Sequence, residues 1–596
     1  MFRSVVHMLF NTVQKYPAKD ALRIKRNGKI QAFSYQQVGE NITLLTHGLK
    51  EQGIKVGDRI AILSNNMPEW MMTDIALFCL RGVVVPLYQT LPPAQLAFIL
   101  KDAGARGVFV QNQQQYDKIK EIKSQLPQLE FIFSFENWAG KAGQILTFDQ
   151  LLEIGRRHQL KNPDFFQQAV AAIDPQDLCS LVYTSGTTGE PKGVMLNQKG
   201  FIIDIINAES VLSLYPDDVF LSFLPLSHLY ERLAGHWCPL YRGATIHYAQ
   251  SIETVIQDIA EARPTVMVSV PRLYEKVAAT VYEQIENSSS LKRNLFYWAL
   301  NTGLKYHEKR IEGKVSKVLK KKYQLADKVV FSKIKTKLGG KFRCPIAGGA
   351  PLSVDTLKFF EAIGLRIVEG YGMTETHLII TLTAPGKTKY GSCGKPIPEV
   401  QVKIAQDGEV LVKGDTLMMG YYNRPDLTAE VLDAQGWLHT GDIGYLDEDN
   451  YLFLTDRKKN IIVTSGGKNV APAPIEHMLK TSRYIDEVCL VGNRQRFVSA
   501  LIIPNYELLK KWGTEQGIDV TDLREFLNHD KVNQLIWQEI EEKQKSFARY
   551  ESVKKFVLLP EPFNIDKDEL TPSLKIKRNV VEKKYADIIS RMYRES

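Results

Sequence analysis

YTSGTTGEPKGV, residues 183–194, decides how the rest of this chain is read. It stands between a strand-like apolar run at 178–183 and a second apolar start, Val194-Met195-Leu196. Three glycines, three threonines, a serine and Lys192 in so short a span suit a polyphosphate. Unhindered backbone N–H groups can close around anionic oxygens, the hydroxyls donate, and the ammonium brings positive charge. The residues after Gly186 do not give the spacing of a Walker A loop.

Outward from this loop, strand-like runs at 59–63, 82–87 and 108–111 alternate with helical stretches near 69–80 and 93–103. The alternation resumes beyond the loop at 219–223, 245–247 and 266–270, and it is the rhythm of parallel α/β layers. Residues 401–412 and 436–454 read differently, as short strands around the turns Gln406-Asp407-Gly408 and Asp447-Glu448-Asp449-Asn450. That pattern predicts a small β-rich subdomain. After Asp456 a last segment carries strands at 488–491 and 498–504 and long charged helices.

The length of 596 residues exceeds a single core and fits two or three domains. Apolar residues at 44% and charged residues at 24% match a soluble globular chain. Six scattered cysteines without a C-x-x-C pair argue against disulfides or a zinc site and for a reducing compartment. Residues 1–17 lack the apolar core of a signal peptide, and the apolar stretch near 75–87 is interrupted by Arg81 and Gly82. A cytoplasmic protein is the expectation.

The net charge of +9 is concentrated: residues 305–343 hold fourteen Lys and Arg against Glu308, Glu312 and Asp327. Tyr, Leu, Val and Phe interleave with these charges. The run reads as a solvated helical face, as a patch for an anionic membrane that would place the protein peripherally on its inner face, or as an attractor for an anionic ligand such as CoA. No nucleic-acid module accompanies it, so nucleic acid is not expected as a partner.

Three further motifs follow the loop: Tyr371-Gly372-Met373-Thr374-Glu375-Thr376, Thr440-Gly441-Asp442 and Asp456-Arg457-Lys458-Lys459. With residues 183–194, and in this order, they resemble the signature series of the adenylate-forming enzymes. That superfamily takes in acyl-CoA synthetases, adenylation domains of peptide synthetases and beetle luciferases. The resemblance runs from about residue 20 to the end of the chain. It implies an α/β fold: a large N-terminal domain, 1–458, of layered α/β sheets with a β-rich subdomain at about 395–458, then a small mobile α+β C-terminal domain, 459–596.

The resemblance also implies roles. ATP would lie on Thr184, Ser185, Gly186, Thr187, Thr188, Gly189 and Lys192, with Glu375 and Thr184 holding Mg²⁺ and Thr374 beside them on the phosphate. Glu369, Gly370, Tyr371 and Gly372 would form one wall of the adenine pocket and Gly348, Gly349 and Ala350 the other. Asp442 would accept the ribose hydroxyls, and Arg457 would support ribose or α-phosphate. Lys575 matches the catalytic lysine of the C-terminal domain; Leu574 replaces the family's usual glycine before it, which leaves Lys577 as the alternative. His228, in Phe223-Leu224-Pro225-Leu226-Ser227-His228, would line the carboxylate end of the acyl pocket. Lys459 would be the hinge, and the turn containing Gly466 and Gly467 would guide the pantetheine arm of CoA.

The implied activity has two halves, adenylation of a carboxylic acid and transfer to CoA. The long basic insert between Lys276 and Gly348, and the run from Asp456 to Glu476, resemble bacterial long-chain fatty acyl-CoA synthetases. The expected substrate is therefore a long-chain fatty acid. A fatty acyl-AMP ligase or an acyl-acyl carrier protein synthetase is the alternative on the same fold, and a homodimer stays open.

Overall fold

Two large sheets, each packed between layers of helices, account for most of the chain. The structure, a computed structural model, describes residues 2–138, 145–184, 191–545, 547–564, 567–571 and 575–594. The first sheet has eight strands in the order Gly420–Tyr421, Lys192–Asn197, Leu178–Thr184, Val83–Leu87, Arg59–Leu63, Gly107–Val110, Phe131–Ser134 and Leu146–Thr147. Its strands are parallel from Leu178–Thr184 onward. In the second, nine-stranded sheet, Thr245–Tyr248, Val219–Ser222, Val266–Ser269, Cys344–Ala347 and Val368–Tyr371 form a parallel centre.

These strands are apolar on both faces because both faces are covered, as parallel sheets require. Ile60 and Ile62 point into the core between the sheets, whereas Ala61 and Leu63 pack on the outer helices. Val266 and Val268 join that central core, and Met267 faces the opposite layer. Between the sheets runs the helix Pro68–Cys79, buried along its whole length.

One ion pair sits in that core. Arg232, on the π-helix Glu231–Trp237, donates from Nε to Asp74 Oδ2 at 3.0 Å and from Nη2 to Oδ1. Its Nη1 reaches Ser180 Oγ at 2.8 Å, and the guanidinium lies 4.8 Å from the Trp237 ring centre. Burial pushes the Asp74 carboxyl up, and the arginine's charge and hydrogen bonds oppose that push. The π-helix, the central helix and the strand Leu178–Thr184 of the first sheet are thereby tied together through one buried contact.

The strands Gln401–Ile404, Glu409–Lys413, Leu438–Leu446 and Leu452–Arg457 form a four-stranded antiparallel sheet, the β-rich subdomain. The C-terminal domain is built on Ile485–Val491, Ser499–Pro504 and Lys555–Leu558, with helices packed around them. The sequence pattern misses the third of these strands, which is four residues long and opens on a lysine. Across the interface with the large domain, His477 Nε2 stands 3.4 Å from Glu275 Oε1, and Arg272 pairs with Glu487 at 3.4 Å. Among the described residues no helix is long and apolar enough to cross a membrane.

Candidate active site

Thr184 and Lys192 face each other across the antiparallel pair Leu178–Thr184 and Lys192–Asn197. The hairpin therefore holds both ends of the glycine-rich loop in register. Ser185, Gly186, Thr187, Thr188 and Gly189 lie outside the described residues. The Lys192 ammonium stands 5.0 Å from the ring centre of Tyr421, and the Tyr421 hydroxyl donates to Glu375 Oε1 at 2.8 Å. A basic end of the loop and a buried carboxylate are thus joined by one aromatic ring.

Glu375 sits in the short turn Thr374–Thr376, and its backbone carbonyl accepts from Met418 N–H at 2.8 Å. The turn is pinned by the next residue. His377 Nδ1 lies 2.8 Å from Thr416 O, and Nε2 lies 3.1 Å from Asn197 N and 3.2 Å from Asn197 O. Burial pushes its pKa down to about 4, against the pull of the Thr416 and Asn197 carbonyls. Gly372 is required where it stands: a Cβ there would come 1.4 Å from Leu378 O. Glu369, Gly370 and Tyr371 belong to the strand Val368–Tyr371. The Glu369 carboxyl is pushed up to about 8 by burial.

Tyr371 donates to Asp442 Oδ2 at 2.6 Å, and Arg457 Nε pairs with Asp442 Oδ1 at 3.2 Å. Asp442 and Arg457 are also cross-strand partners, so the sheet register itself places the pair. Each carboxylate oxygen keeps a second acceptor site for a vicinal diol. Glu409 supports this corner by accepting from Gly441 N–H at 2.9 Å and from Lys458 Nζ at 2.9 Å. Gly348, Gly349 and Ala350 follow directly after the strand Cys344–Ala347, with the Tyr230 ring against Gly348.

His228 Nδ1 accepts from Tyr230 N–H at 3.1 Å, leaving Nε2 as the protonated nitrogen of a neutral ring. Burial pushes its pKa down to about 4, and the charge of Lys575 adds to the effect. Lys575 is therefore at this site, although it comes from the C-terminal domain. Desolvation and the charge of Arg457 bring its pKa down to about 8, against the pull of Asp442. At that value the ammonium predominates at neutral pH.

Lys577 goes elsewhere. Its ammonium pairs with Asp568, and its N–H donates to Glu569 O at 2.8 Å. The loop carrying Lys575 closes on itself through Lys575 N–H to Thr571 Oγ1 at 3.0 Å and the bridge between Leu570 and Ile576. Glu569, fully buried, anchors it by accepting from Lys584 Nζ at 2.6 Å and Asn564 N–H at 3.1 Å.

Lys459 lies exposed in the turn Lys458–Asn460. Asp456 spans the junction: Oδ1 accepts from Arg457 N–H at 2.6 Å and Oδ2 from Ala473 N–H at 2.7 Å. Gly466 and Gly467 sit in an exposed turn whose Ser465 N–H donates to Gln495 O at 2.8 Å, a contact within the C-terminal domain. They are not gathered with the other site residues. Sequence reasoning also passed over Tyr421, His377, Glu409 and Glu569.

Among the described residues no three His, Cys, Asp or Glu side chains converge into a cage for a metal. Magnesium bound with nucleotide phosphates needs only one or two protein carboxylates and keeps water ligands. Glu375, a carboxylate whose Oε1 accepts from Tyr421, fits that manner of binding.

The profile of the AMP-binding enzyme family matches residues 9–422, and that of the AMP-binding enzyme C-terminal domain matches 459–596. The long-chain-fatty-acid–CoA ligase FadD15 of Mycobacterium bovis is 34% identical over 552 residues, 92% of this chain and 90% of that protein. The human long-chain-fatty-acid–CoA ligase ACSBG1 is 31% identical, with 99% and 85% covered. Among solved structures, the anthranilate CoA ligase AuaEII in complex with anthranoyl-AMP superposes with a TM-score of 0.75 at 20% identity, covering 99% and 98%. A Mycobacterium tuberculosis fatty acyl CoA synthetase does so with 0.62 at 22%, covering 98% and 99%. These structures share the fold described above, and the chain belongs to the AMP-binding enzyme family.

Proposed function

We propose that this protein is an ATP-dependent long-chain fatty acid–CoA ligase. What supports the reading is that the charge of Lys575 is felt by His228, and those of Arg457 and Asp442 by Lys575, across the two domains. Similarity along nearly the whole chain to ligases of that name supports the choice of acid and acceptor.

In the first half-reaction a carboxylate oxygen attacks the α-phosphorus of ATP, the bond to the β-phosphate breaks, and pyrophosphate leaves. Lys575, as an ammonium, stabilises charge developing on the carboxylate and α-phosphate oxygens. His228, neutral, bounds the carboxylate without taking a proton. Asp442 and Arg457 hold the ribose end, and Tyr371 packs along the adenine. Thr184 and Lys192 flank the outer phosphates. Magnesium, when bound at Glu375 and Thr184, offsets phosphate charge there.

In the second half-reaction the CoA thiolate attacks the acyl carbonyl, a carbon–sulfur bond forms, and AMP departs. Lys575 must withdraw for CoA to reach the anhydride. A rotation about Lys459, carrying the turn of Gly466 and Gly467 inward, would do both. The reading includes contact with an anionic membrane through residues 305–343; no site residue calls for a second copy.

The test is conversion of ATP to AMP with palmitate and Mg²⁺, with and without CoA, following palmitoyl-CoA by mass. Palmitoyl-CoA and AMP formed together when CoA is supplied is the expected result. Adenylate that accumulates with CoA present would move the acceptor to a carrier protein or to none.

A further inference from the structure

Two helices of the basic insert expose more apolar surface than a solvated face should. The helix Ser290–Ile311 buries Phe296, Ala299, Leu300, Gly303 and His307. Opposite them, Leu291, Leu295 and Trp298 stand at i, i+4 and i+7, exposed by 78%, 38% and 36%. That spacing makes one stripe along the first turns of the helix, which ends at the buried Thr302, one turn before Lys305. The helix Lys317–Ala326 repeats the arrangement: Val318 and Leu325 are exposed by 65% and 53%, with Lys317, Lys321 and Lys322 around them. Ile311, at the turn between the helices, is exposed by 65%.

The hairpin is not a loose appendage. The Tyr306 and Tyr323 rings stack at 4.1 Å with planes 7° apart, and the buried Phe296, Ala326 and Phe331 join one core with Tyr274 and Phe360. The outer stripes are therefore presented by a fixed scaffold. Few acids balance the cations: Glu312 is taken by Lys309 and Asp327 by Lys335. Apolar side chains flanked by lysines on a helix face are what lies in the headgroup layer of a charged membrane. A polyanion without an apolar phase would leave Leu291 and Trp298 without a role.

We propose that this hairpin is a wedge that seats the protein on an anionic bilayer. Leu291, Leu295 and Trp298 enter the boundary between headgroups and acyl chains, and Lys314, Lys317, Lys321 and Lys322 meet the lipid phosphates. The inference extends the ligase reading and rests on it, because a long-chain acid is held in such a layer. It also places half of the contact at 291–298, ahead of the basic run.

The experiment is sedimentation of the full chain with vesicles of phosphatidylcholine alone or mixed with phosphatidylglycerol. Binding to the mixed vesicles should be about tenfold or more stronger and should weaken as salt rises. The triple change Leu291→Ser, Leu295→Ser, Trp298→Ser should lower it about tenfold or more, with turnover of dissolved palmitate unchanged. Lys314→Gln, Lys317→Gln, Lys321→Gln and Lys322→Gln together should remove the preference for anionic lipid. Brominated lipid should quench wild-type tryptophan fluorescence more than that of Trp298→Phe. No binding, equal binding to both vesicles, indifference to the triple change, or a dimer formed through this face would overturn the wedge. Turnover of palmitate without vesicle binding overturns the wedge alone; vesicle binding without turnover counts against the ligase reading alone.

Discussion

Tyr421 fixes two charges with one side chain, donating to Glu375 while its ring carries Lys192. Tyr421→Phe keeps the ring and removes a hydrogen bond to a carboxylate, a loss of about 1.5–3 kcal/mol. The apparent affinity for magnesium and ATP should fall about tenfold or more, with thioester formation from supplied adenylate unaffected; a magnesium titration of the adenylation rate checks this. Nothing in the sequence near Tyr421 advertises that role, because it is the first of two adjacent tyrosines and lies 46 residues from Glu375. The converse holds for Asp442 and Arg457. Their motifs were legible, and the strand register brings them side by side. Lys575 and Lys577 were left open because they are two residues apart in a basic tail. Their surroundings differ: Lys575 feels the charges of Arg457 and Asp442, whereas Lys577 pairs with Asp568.

Among elements, the helices Tyr35–Glu51 and Phe148–Lys161 approach more closely than any other side chain than glycine would allow. A Cβ on Gly155 would stand 1.8 Å from Leu44 O, and one on Gly48 would stand 2.2 Å from Leu151 O. Gly155→Ala must push the helices apart, so a loss of about 1–3 kcal/mol is expected, read as a fall in the denaturant midpoint at unchanged slope. The strands and helices between 59 and 111 were readable to within a residue or two, since fully covered strands are continuous apolar runs. The helix crossing was not, because contacts between elements distant in sequence leave no local period. The π-helix Glu231–Trp237 was equally hidden.

Across the whole molecule, the Asp74–Arg232 pair joins the central helix to the π-helix beneath the second sheet. Asp74→Ala would strand a buried guanidinium, and a loss of about 3–5 kcal/mol is expected; equilibrium unfolding measures it. Acid should act on many places at once. His228, His307, His377 and His477 are each pushed down to about 4 by burial, and His236 to about 3. On account of these rings the unfolded chain binds more protons below pH 6.5, so their share of the stability is full above that pH and falls toward pH 4, while buried Glu231 and Glu369, pushed up to about 8, act in the opposite sense. Thermal midpoints across this range should decline steadily; a flat profile would mean that these rings protonate without unfolding. The layered sheets, the β-rich subdomain and the order of motifs were all visible in the sequence. The buried ion pair and the closed placement of the C-terminal domain were not, because both depend on residues far apart in the chain.

The most direct measurement compares the two half-reactions in Lys575→Ala and Lys577→Ala. Palmitate-dependent pyrophosphate release and thioester formation from supplied palmitoyl-adenylate are followed separately. The account predicts that Lys575→Ala slows adenylation about 10²–10³-fold and leaves thioester formation largely intact, while Lys577→Ala changes neither by as much as about tenfold. Equal loss of both half-reactions in Lys575→Ala, or adenylation lost in Lys577→Ala instead, would contradict a site shared between the two domains.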